Sequence, residues 1–188
     1  RGTRGLQPQI AVSYNSGNNK GITGIGWGLE LGSIERSTKK GAPKYDSTDS
    51  YVFSGDSSDL VNIGGSEYRP KLEGAFMKIS FTGSSWIAQD KGGTKYYFGT
   101  TSASRQESGS KVAKWCLDKV EDNLGNYYVI DWTKDDNQLY PLQIRYTANS
   151  ATGLSPKLKV DFIYEARPDV SINYRYGFRI AAAKRLLD

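Results

Sequence analysis

The chain has 188 residues, a hydrophobic content of 37% and a net charge of +5 that is spread along the sequence without a block of like charges, which argues against a nucleic-acid-binding protein. With one cysteine and no histidine, it cannot form an internal disulfide, a Cys/His zinc site or a histidine-activated nucleophile. No stretch approaches the about 20 apolar residues of a membrane-spanning helix, so we expect no membrane span.

The first predicted elements are glycine-rich β-structure. LQPQIAVSYN (6–15) alternates apolar and polar residues, which predicts a half-buried strand, and the asparagines and glycines of 16–21 predict a turn. The alternation resumes at Trp27, which we predict to fill the core with a partner for its indole N–H. It changes parity near Gly32, which predicts a β-bulge.

Short strands and hairpins follow along the rest of the chain. Strands are predicted in YVFSG, DLVNIG, SEYRPKL and AFMKISFTG. Two hairpins are predicted around turns at 90–93 and 122–126, and LYPLQIRYT with KLKVDFIYEA makes a third strand pair. SASRQESGSK (102–111) is typical of a mobile loop, and the tail GFRIAAAKRLLD is predicted to be a strand.

The core is expected to be aromatic. The chain contains 13 Tyr, 6 Phe and 4 Trp, and aromatic side chains bury much apolar area on pleated sheets. Cys116, in WCLDKV, is predicted to be a small buried hydrophobic residue. The fold class is therefore all-β, a meander of antiparallel hairpins that forms curved or sandwiched sheets.

Two stretches that resemble ligand-binding motifs lack the residue spacing that those motifs require. The glycines of GITGIGWGLE (21–30) do not match a dinucleotide or P-loop fingerprint, and their flanks alternate as strands instead of opening a helix. DWTKDDNQL resembles part of a calcium loop but lacks the glycine and the closing glutamate at the required spacing. We expect no cofactor and no metal.

Two alternative functions stay open at this point. A carbohydrate- or surface-binding β-sandwich would present a solvent-exposed row of aromatic side chains such as Trp86 and Tyr96. A glycosidase would bring two carboxylates to roughly 5–9.5 Å across a cleft. Most of the aspartates lie in turn-like segments, where they initiate turns and increase solubility, and no pair stands out.

The sequence resembles a known family of bacterial toxin proteins. DNLGNYYVIDWTKDDNQLYPLQIRY is similar to a degenerate RHS or YD repeat. Nearly the whole chain resembles the SpvB domain that opens the B subunits of bacterial insecticidal Toxin complexes. The matching residues are Gly5, Leu6, Gln7, Pro8, Tyr14, Asn15, Ser16, Gly17, Gly24, Gly26, Trp27, Leu29, Ile34, Arg36, Gly41, Pro43, Tyr45, Tyr68, Arg69, Pro70, Glu73, Gly74, Phe76, Trp115, Leu117, Asp122, Gly125 and Asn126.

The resemblance implies a structural role. In that family the domain begins a large β-shell, which RHS repeats continue and which encloses a toxic C-terminal segment. It implies a non-enzymatic, secreted scaffold domain whose partners are other segments of the same polypeptide, such as RHS repeats and an effector, and other toxin subunits. No catalytic residue of the family maps onto this chain. We expect residues 1–188 to be a single SpvB-like domain cut at both ends from a longer chain.

Six residues are predicted to carry this structural role. They are Gly24, Gly26, Trp27, Tyr68, Arg69 and Pro70. The glycines are expected to permit sharp turns and close backbone passage. Arg69 is expected to form a buried ion pair with an acid such as Glu73.

Overall fold

The protein consists almost entirely of antiparallel β-structure. The computed structural model describes residues 2, 5–14, 21–24, 26–54, 57–72 and 76–187. Within these ranges one short 3-10 helix, Ser102–Ser104, accompanies the strands. The strands are β1 Val12–Tyr14, β2 Trp27–Leu29, β3 Ser33–Arg36, β4 Tyr51–Phe53, β5 Ser58–Gly64, β6 Glu67–Pro70, β7 Lys78–Phe81, β8 Trp86–Gln89, β9 Lys95–Phe98, β10 Arg105–Ser108, β11 Lys111–Glu121, β12 Asn126–Asp135, β13 Gln138–Asn149, β14 Leu158–Asp161, β15 Tyr164–Asn173 and β16 Ile180–Leu186.

A closed barrel forms the centre of the fold. Strands β3 to β9 pair in sequence as an antiparallel meander, and both β3 and β9 also pair with β11. The carbonyl of Cys116 accepts from Gly99 N–H at 2.9 Å, whereas Leu117 N–H donates to the Gly32 carbonyl at 2.9 Å. The C=O and N–H of one trans peptide unit point to opposite sides, so β3 and β9 lie on opposite edges of β11. The predicted meander therefore closes into an eight-stranded ring.

Aromatic side chains fill the barrel, which confirms the predicted core. Trp86, Trp115 and Phe98 are at most 2% exposed. Tyr51 and Tyr68 each meet the Trp86 ring edge-on, with ring centroids 4.9 Å apart. Small barrels are packed with side chains in this way, and edge-to-face aromatic pairs add to the stability that burial provides.

A second layer extends from the barrel. Strand β12 pairs with the end of β11 at Lys119–Glu121 and continues into the long β12–β13 hairpin, with β14 at the edge. The indole N–H of Trp132 donates to the Leu117 carbonyl at 2.9 Å, which ties this sheet to the barrel wall.

Two smaller hairpins complete the fold. Strands β15 and β16 form the C-terminal hairpin, so the predicted strand in the tail is confirmed. Strands β1 and β2 form a two-stranded arm, whose turn meets the C-terminal hairpin where Leu186 N–H donates to the Ile22 carbonyl at 2.7 Å.

Two predicted turns adopt the same geometry. In one, Asp90 accepts from the Thr94 amide at 3.0 Å, and in the other Asp122 accepts from the Asn126 amide at 2.8 Å. In each the glycine three residues after the aspartate has a positive φ, +85° at Gly93 and +80° at Gly125. Both hairpin predictions are confirmed, as is the pairing of β13 with β14.

Three local predictions are wrong. The N-terminal strand is limited to Val12–Tyr14, and the part of its predicted buried face that lies in or next to this strand is exposed, with Ile10 at 40%, Val12 at 47% and Tyr14 at 63%. Gly32 connects β2 to β3, which lie in different sheets, so no bulge forms there. The predicted mobile loop at 102–111 contains the 3-10 helix and β10, and Ser104 is fully buried. Most of the predicted turn at 16–21 lies outside the described residues.

Candidate functional site

The six predicted structural residues lie in two separate parts of the fold. Gly24, Gly26 and Trp27 belong to the arm, whereas Tyr68, Arg69 and Pro70 belong to β6 of the barrel. The arm and β6 are in different sheets. They therefore do not form one site.

The two arm glycines adopt backbone conformations that favour glycine. Gly24 has a φ of +108° and closes a tight turn with Gly21, the two residues exchanging backbone hydrogen bonds of 3.2 and 3.4 Å. Gly26 has a φ of +78°, and a Cβ there would lie 2.5 Å from Cε2 of Tyr14. Glycine at this position lets the Tyr14 ring lie against the backbone of the arm.

The prediction that Trp27 fills the core is wrong. Its side chain is 45% exposed on the arm, where it meets the Tyr14 ring edge-on with ring centroids 5.3 Å apart. The physical reason is that the barrel interior is already filled by side chains from β3 to β11. The arm lies outside the barrel wall.

Strand β6 shows the expected alternation with one correction. Tyr68 packs into the barrel core and Pro70 is buried, but Arg69 between them points outward and is exposed. An exposed Arg69 cannot form the predicted buried ion pair. Glu73, its proposed partner, lies outside the described residues.

A largely buried ion pair joins the end of β3 to the connection between β3 and β4. Arg36 Nη1 lies 2.8 Å from Asp49 Oδ2, and the two side chains are only 14% and 9% exposed. The guanidinium carbon also lies 5.2, 5.3 and 5.9 Å from the ring centres of Tyr45, Tyr51 and Trp115. Cation–π attraction and the carboxylate together compensate for the desolvation of this cation.

A second polar cluster fastens the tip of the C-terminal hairpin to the barrel. Glu35 of β3 accepts from the Tyr176 hydroxyl at 2.5 Å and from Arg175 at 2.9 Å, and Lys114 Nζ lies 3.9 Å away. The Tyr45 hydroxyl donates to the Tyr176 carbonyl at 2.6 Å. We call the contact between Glu35, Lys114, Arg175 and Tyr176 the seam.

The charges of the seam determine its titration. Burial alone would raise the pKa of Glu35, but Lys114, Arg175 and the hydrogen bond from Tyr176 outweigh burial and lower it below its usual 4.5. Burial, and next the Glu35 carboxylate, raise the pKa of Tyr176 well above its usual value. The tyrosine therefore stays protonated and donates its proton to an ionised carboxylate.

We expect Glu35→Gln to reduce the free energy of unfolding by about 1–2 kcal/mol at pH 7, because it removes charge-assisted hydrogen bonds. The folded pKa of Glu35 lies below the unfolded value, so its stabilisation is present above about pH 4.5 and is lost as the pH falls through the folded pKa. In urea titrations, the difference in the free energy of unfolding between wild type and variant should therefore become smaller towards pH 3.

The exposed pair Glu67–Lys78, with side chains 45% and 64% exposed, provides the control for this experiment. Glu67→Gln should change stability by less than about 0.5 kcal/mol at either pH. If the loss of stability caused by Glu35→Gln stayed constant or grew as the pH falls, Glu35 could not be the ionised group that stabilises the seam.

The aspartates considered for catalysis have structural partners. Asp118 Oδ2 accepts from the Thr100 amide at 2.7 Å and from the Ser104 hydroxyl at 2.7 Å, whereas its Oδ1 is buried without a partner. Asp118 lies within β11, and Asp131 and Asp135 lie within β12. Other aspartates form ion pairs: Asp59 with Lys39, Asp131 with Arg145, Asp135 with Lys184 and Asp136 with Arg179.

A groove of about 450 Å³ runs between the arm and the barrel beside the seam. Its lining residues include Glu30, Lys114 and Arg175, and the two cations face Glu35, so there is little excess positive charge for a phosphate. The glycine-rich stretch borders the groove and leads into β2, which agrees with the rejected phosphate motif.

The aromatic row expected of a carbohydrate-binding module is absent where it was predicted. Trp86 is fully buried in the barrel and Tyr96 is half-buried.

Cys116 is 4% exposed, which confirms its burial, and desolvation raises the pKa of its thiol to about 12. Within the described ranges, no three acidic or cysteine side chains are grouped closely enough to hold a metal ion. In the same residues, no helix has the length and apolar character needed to cross a bilayer.

Most of the chain matches the sequence model of a known protein family. The sequence model of the SpvB family, described as "Salmonella virulence plasmid 65kDa B protein", matches residues 1–155. The chain belongs to this family. This SpvB-family chain is 26% identical to mono(ADP-ribosyl)transferase SpvB of Salmonella choleraesuis (strain SC-B67) and of Salmonella typhimurium, over 156 residues that cover 66% of the chain and 26% of each relative. It thus spans about a quarter of the length of these relatives.

Solved structures share the fold of this SpvB-family chain. The N-terminal domain of effector protein SpvB from Salmonella typhimurium strain LT2 superposes with a TM-score of 0.83 at 21% identity, covering 97% of this chain and 82% of that one. The Photorhabdus luminescens Tc holotoxin pore superposes with a TM-score of 0.85 at 20% identity, covering 97% of this chain and 12% of that one. The TcdB2-TccC3-Cdc42 structure superposes with a TM-score of 0.83 at 20% identity, covering 97% of this chain and 12% of that one. The expected all-β fold and family are confirmed.

Proposed function

We propose that this protein is a non-enzymatic structural domain of a secreted bacterial toxin or RHS-type protein, and that it helps to form a shell around a C-terminal effector. The observation that carries the proposal is the closed barrel, whose interior is filled by its own aromatic side chains. A filled barrel provides a rigid support and leaves little room for a substrate.

The arrangement of the sheets supports a role in seating neighbouring parts of a toxin. Strands β12 and β13 are 10 and 12 residues long and extend away from the barrel as a platform. Closure of the barrel protects most strand edges from unwanted pairing. The partners we propose are other segments of the same polypeptide, including RHS repeats, and other toxin subunits.

We further propose that the transferase activity in the names of the curated relatives resides outside the region matched here. The chain covers 26% of those relatives. The aspartates described above are engaged in ion pairs and in hydrogen bonds that hold the fold together, which suits a structural part of such a protein.

The proposal is tested by deleting residues 1–188 from the parent polypeptide and following limited proteolysis of its C-terminal segment. We expect cleavage of that segment to become at least about tenfold faster, because an incomplete shell leaves it accessible. As a control, any ADP-ribosyltransferase activity of the parent should survive the deletion. Unchanged protection would contradict the shell role, and loss of activity in a soluble deletion variant would contradict the non-enzymatic assignment.

A further inference from the structure

The arm presents an apolar face that the described part of the chain leaves uncovered. Val12, Tyr14, Trp27 and Leu187 are 47%, 63%, 45% and 45% exposed, and Leu186 is half-buried beside them. The Tyr14 and Trp27 rings touch, and Val12, Trp27, Leu186 and Leu187 border one hollow of about 410 Å³. We call these five residues the arm patch.

The composition of the arm patch is that of an interface core. The fifth residue bordering its hollow is Thr23, so none of the described residues at the hollow is charged. Tyrosine and tryptophan are enriched in the buried centres of protein interfaces, where charged residues are depleted. Contiguous apolar patches on a soluble surface mark sites of interaction.

The arm also needs support on this side. Each of its strands has three residues, and an isolated two-stranded hairpin is marginally stable in water. Leu29, which pairs with Val12 and therefore shares its face, packs against the main core, and Ile22 accepts a hydrogen bond from Leu186. Val12, Tyr14 and Trp27 on the same face stay exposed, and the second edge of β1 pairs with no strand among the described residues.

The size and position of the arm patch select its occupant. Five side chains cover much less than the roughly 800 Å² per partner that a stable dimer buries, which disfavours a second copy. A segment of the same polypeptide can bind a small patch, because its effective concentration is high. Strand β16 ends at Leu186, and the chain leaves it through Leu187, which is itself part of the patch.

We infer that the arm patch is the docking site for the polypeptide that follows this region in longer family members. The occupant is an extended segment with apolar side chains at alternate positions, which adds to the free edge of β1 and covers Tyr14 and Trp27. Curated relatives are about four times longer than the matched region. The inference rests on the proposed function, since it requires a larger parent polypeptide.

Thiol labelling of the parent polypeptide tests the inference. Val12 and Val61 are 47% and 46% exposed in this structure, so Val12→Cys and Val61→Cys form a matched pair, and the native Cys116 is buried and contributes little background. We expect a maleimide to label Val12→Cys at least about tenfold more slowly than Val61→Cys, because the docked segment must detach before the reagent can enter.

Three outcomes would overturn the inference. Equally fast labelling of both positions would show that the patch is open, and equally slow labelling of both positions would show protection that is not local to the arm. Protection of Val12→Cys that disappears on dilution would identify a second copy as the occupant. If Val12→Cys is open but deletion of residues 1–188 still exposes the C-terminal segment, the docking inference fails and the proposed function stands.

Discussion

Gly99→Ala is expected to reduce the free energy of unfolding by about 2–4 kcal/mol. Gly99 leaves the last strand of the meander with a φ of +66°, and a Cβ there would lie 2.3 Å from Cδ1 and 2.8 Å from Cβ of Trp115. Trp115 cannot move aside easily. It is 2% exposed, packs against Phe81 and Trp86, and donates from its indole nitrogen to the Ser84 carbonyl at 2.9 Å.

Gly109→Ala is the matched control for this experiment. Gly109 has a similar φ of +59°, but open space surrounds the position of its missing Cβ. Its substitution should cost only the backbone strain, about 1–2 kcal/mol. Urea titrations of both variants isolate the clash with Trp115. Equal losses of stability in the two variants would contradict tight packing where the barrel closes.

Local structure was predictable because it is encoded within a few residues. The turns that begin at Asp90 and Asp122 each combine an aspartate that accepts a backbone amide with a glycine at positive φ, and both residue types were visible in the sequence. The period-two alternation around them identified the flanking strands. The aromatic composition predicted the nature of the core.

Closure of the barrel was not predictable from alternation. Strand β11 pairs with β3, which lies about 80 residues earlier, and with β9 on its other edge. Period two shows which residues share a face but not which strands meet. For the same reason Trp27 and Trp86 look alike in sequence, although one lies on the exposed arm and the other at the barrel centre.

Only part of the Arg36–Asp49 ion pair and of the seam could be recognised in the sequence. Arg36 follows Ile34 with the parity of the buried face, so a cation among core positions could have been noticed. Its partner Asp49 is held by a turn in which the amides of Lys44 and Tyr45 also donate to the carboxylate, at 2.9 and 2.7 Å. The seam joins Glu35 to Arg175 and Tyr176, which lie 140 and 141 positions later, and only the three-dimensional fold brings them together.

Asp49→Ala is expected to destabilise the protein by about 3–5 kcal/mol, because it leaves the Arg36 cation buried without its counter-charge. The variant also loses the acceptor for two turn amides, one of them on Tyr45, which has a left-handed φ of 64°. The effect is measured as a shift of the urea midpoint at pH 7, with the slope of the transition compared with wild type.

Lys39→Ala removes a surface pair of similar length and serves as the control. Lys39 Nζ lies 2.6 Å from Asp59 Oδ1, but these side chains are 62% and 36% exposed, so the change should stay within about 0.5 kcal/mol. Burial, not distance, therefore decides the difference between the two pairs. If Asp49→Ala cost no more than Lys39→Ala, solvent would have to reach Arg36, and the ion pair could not be buried as it is in this structure.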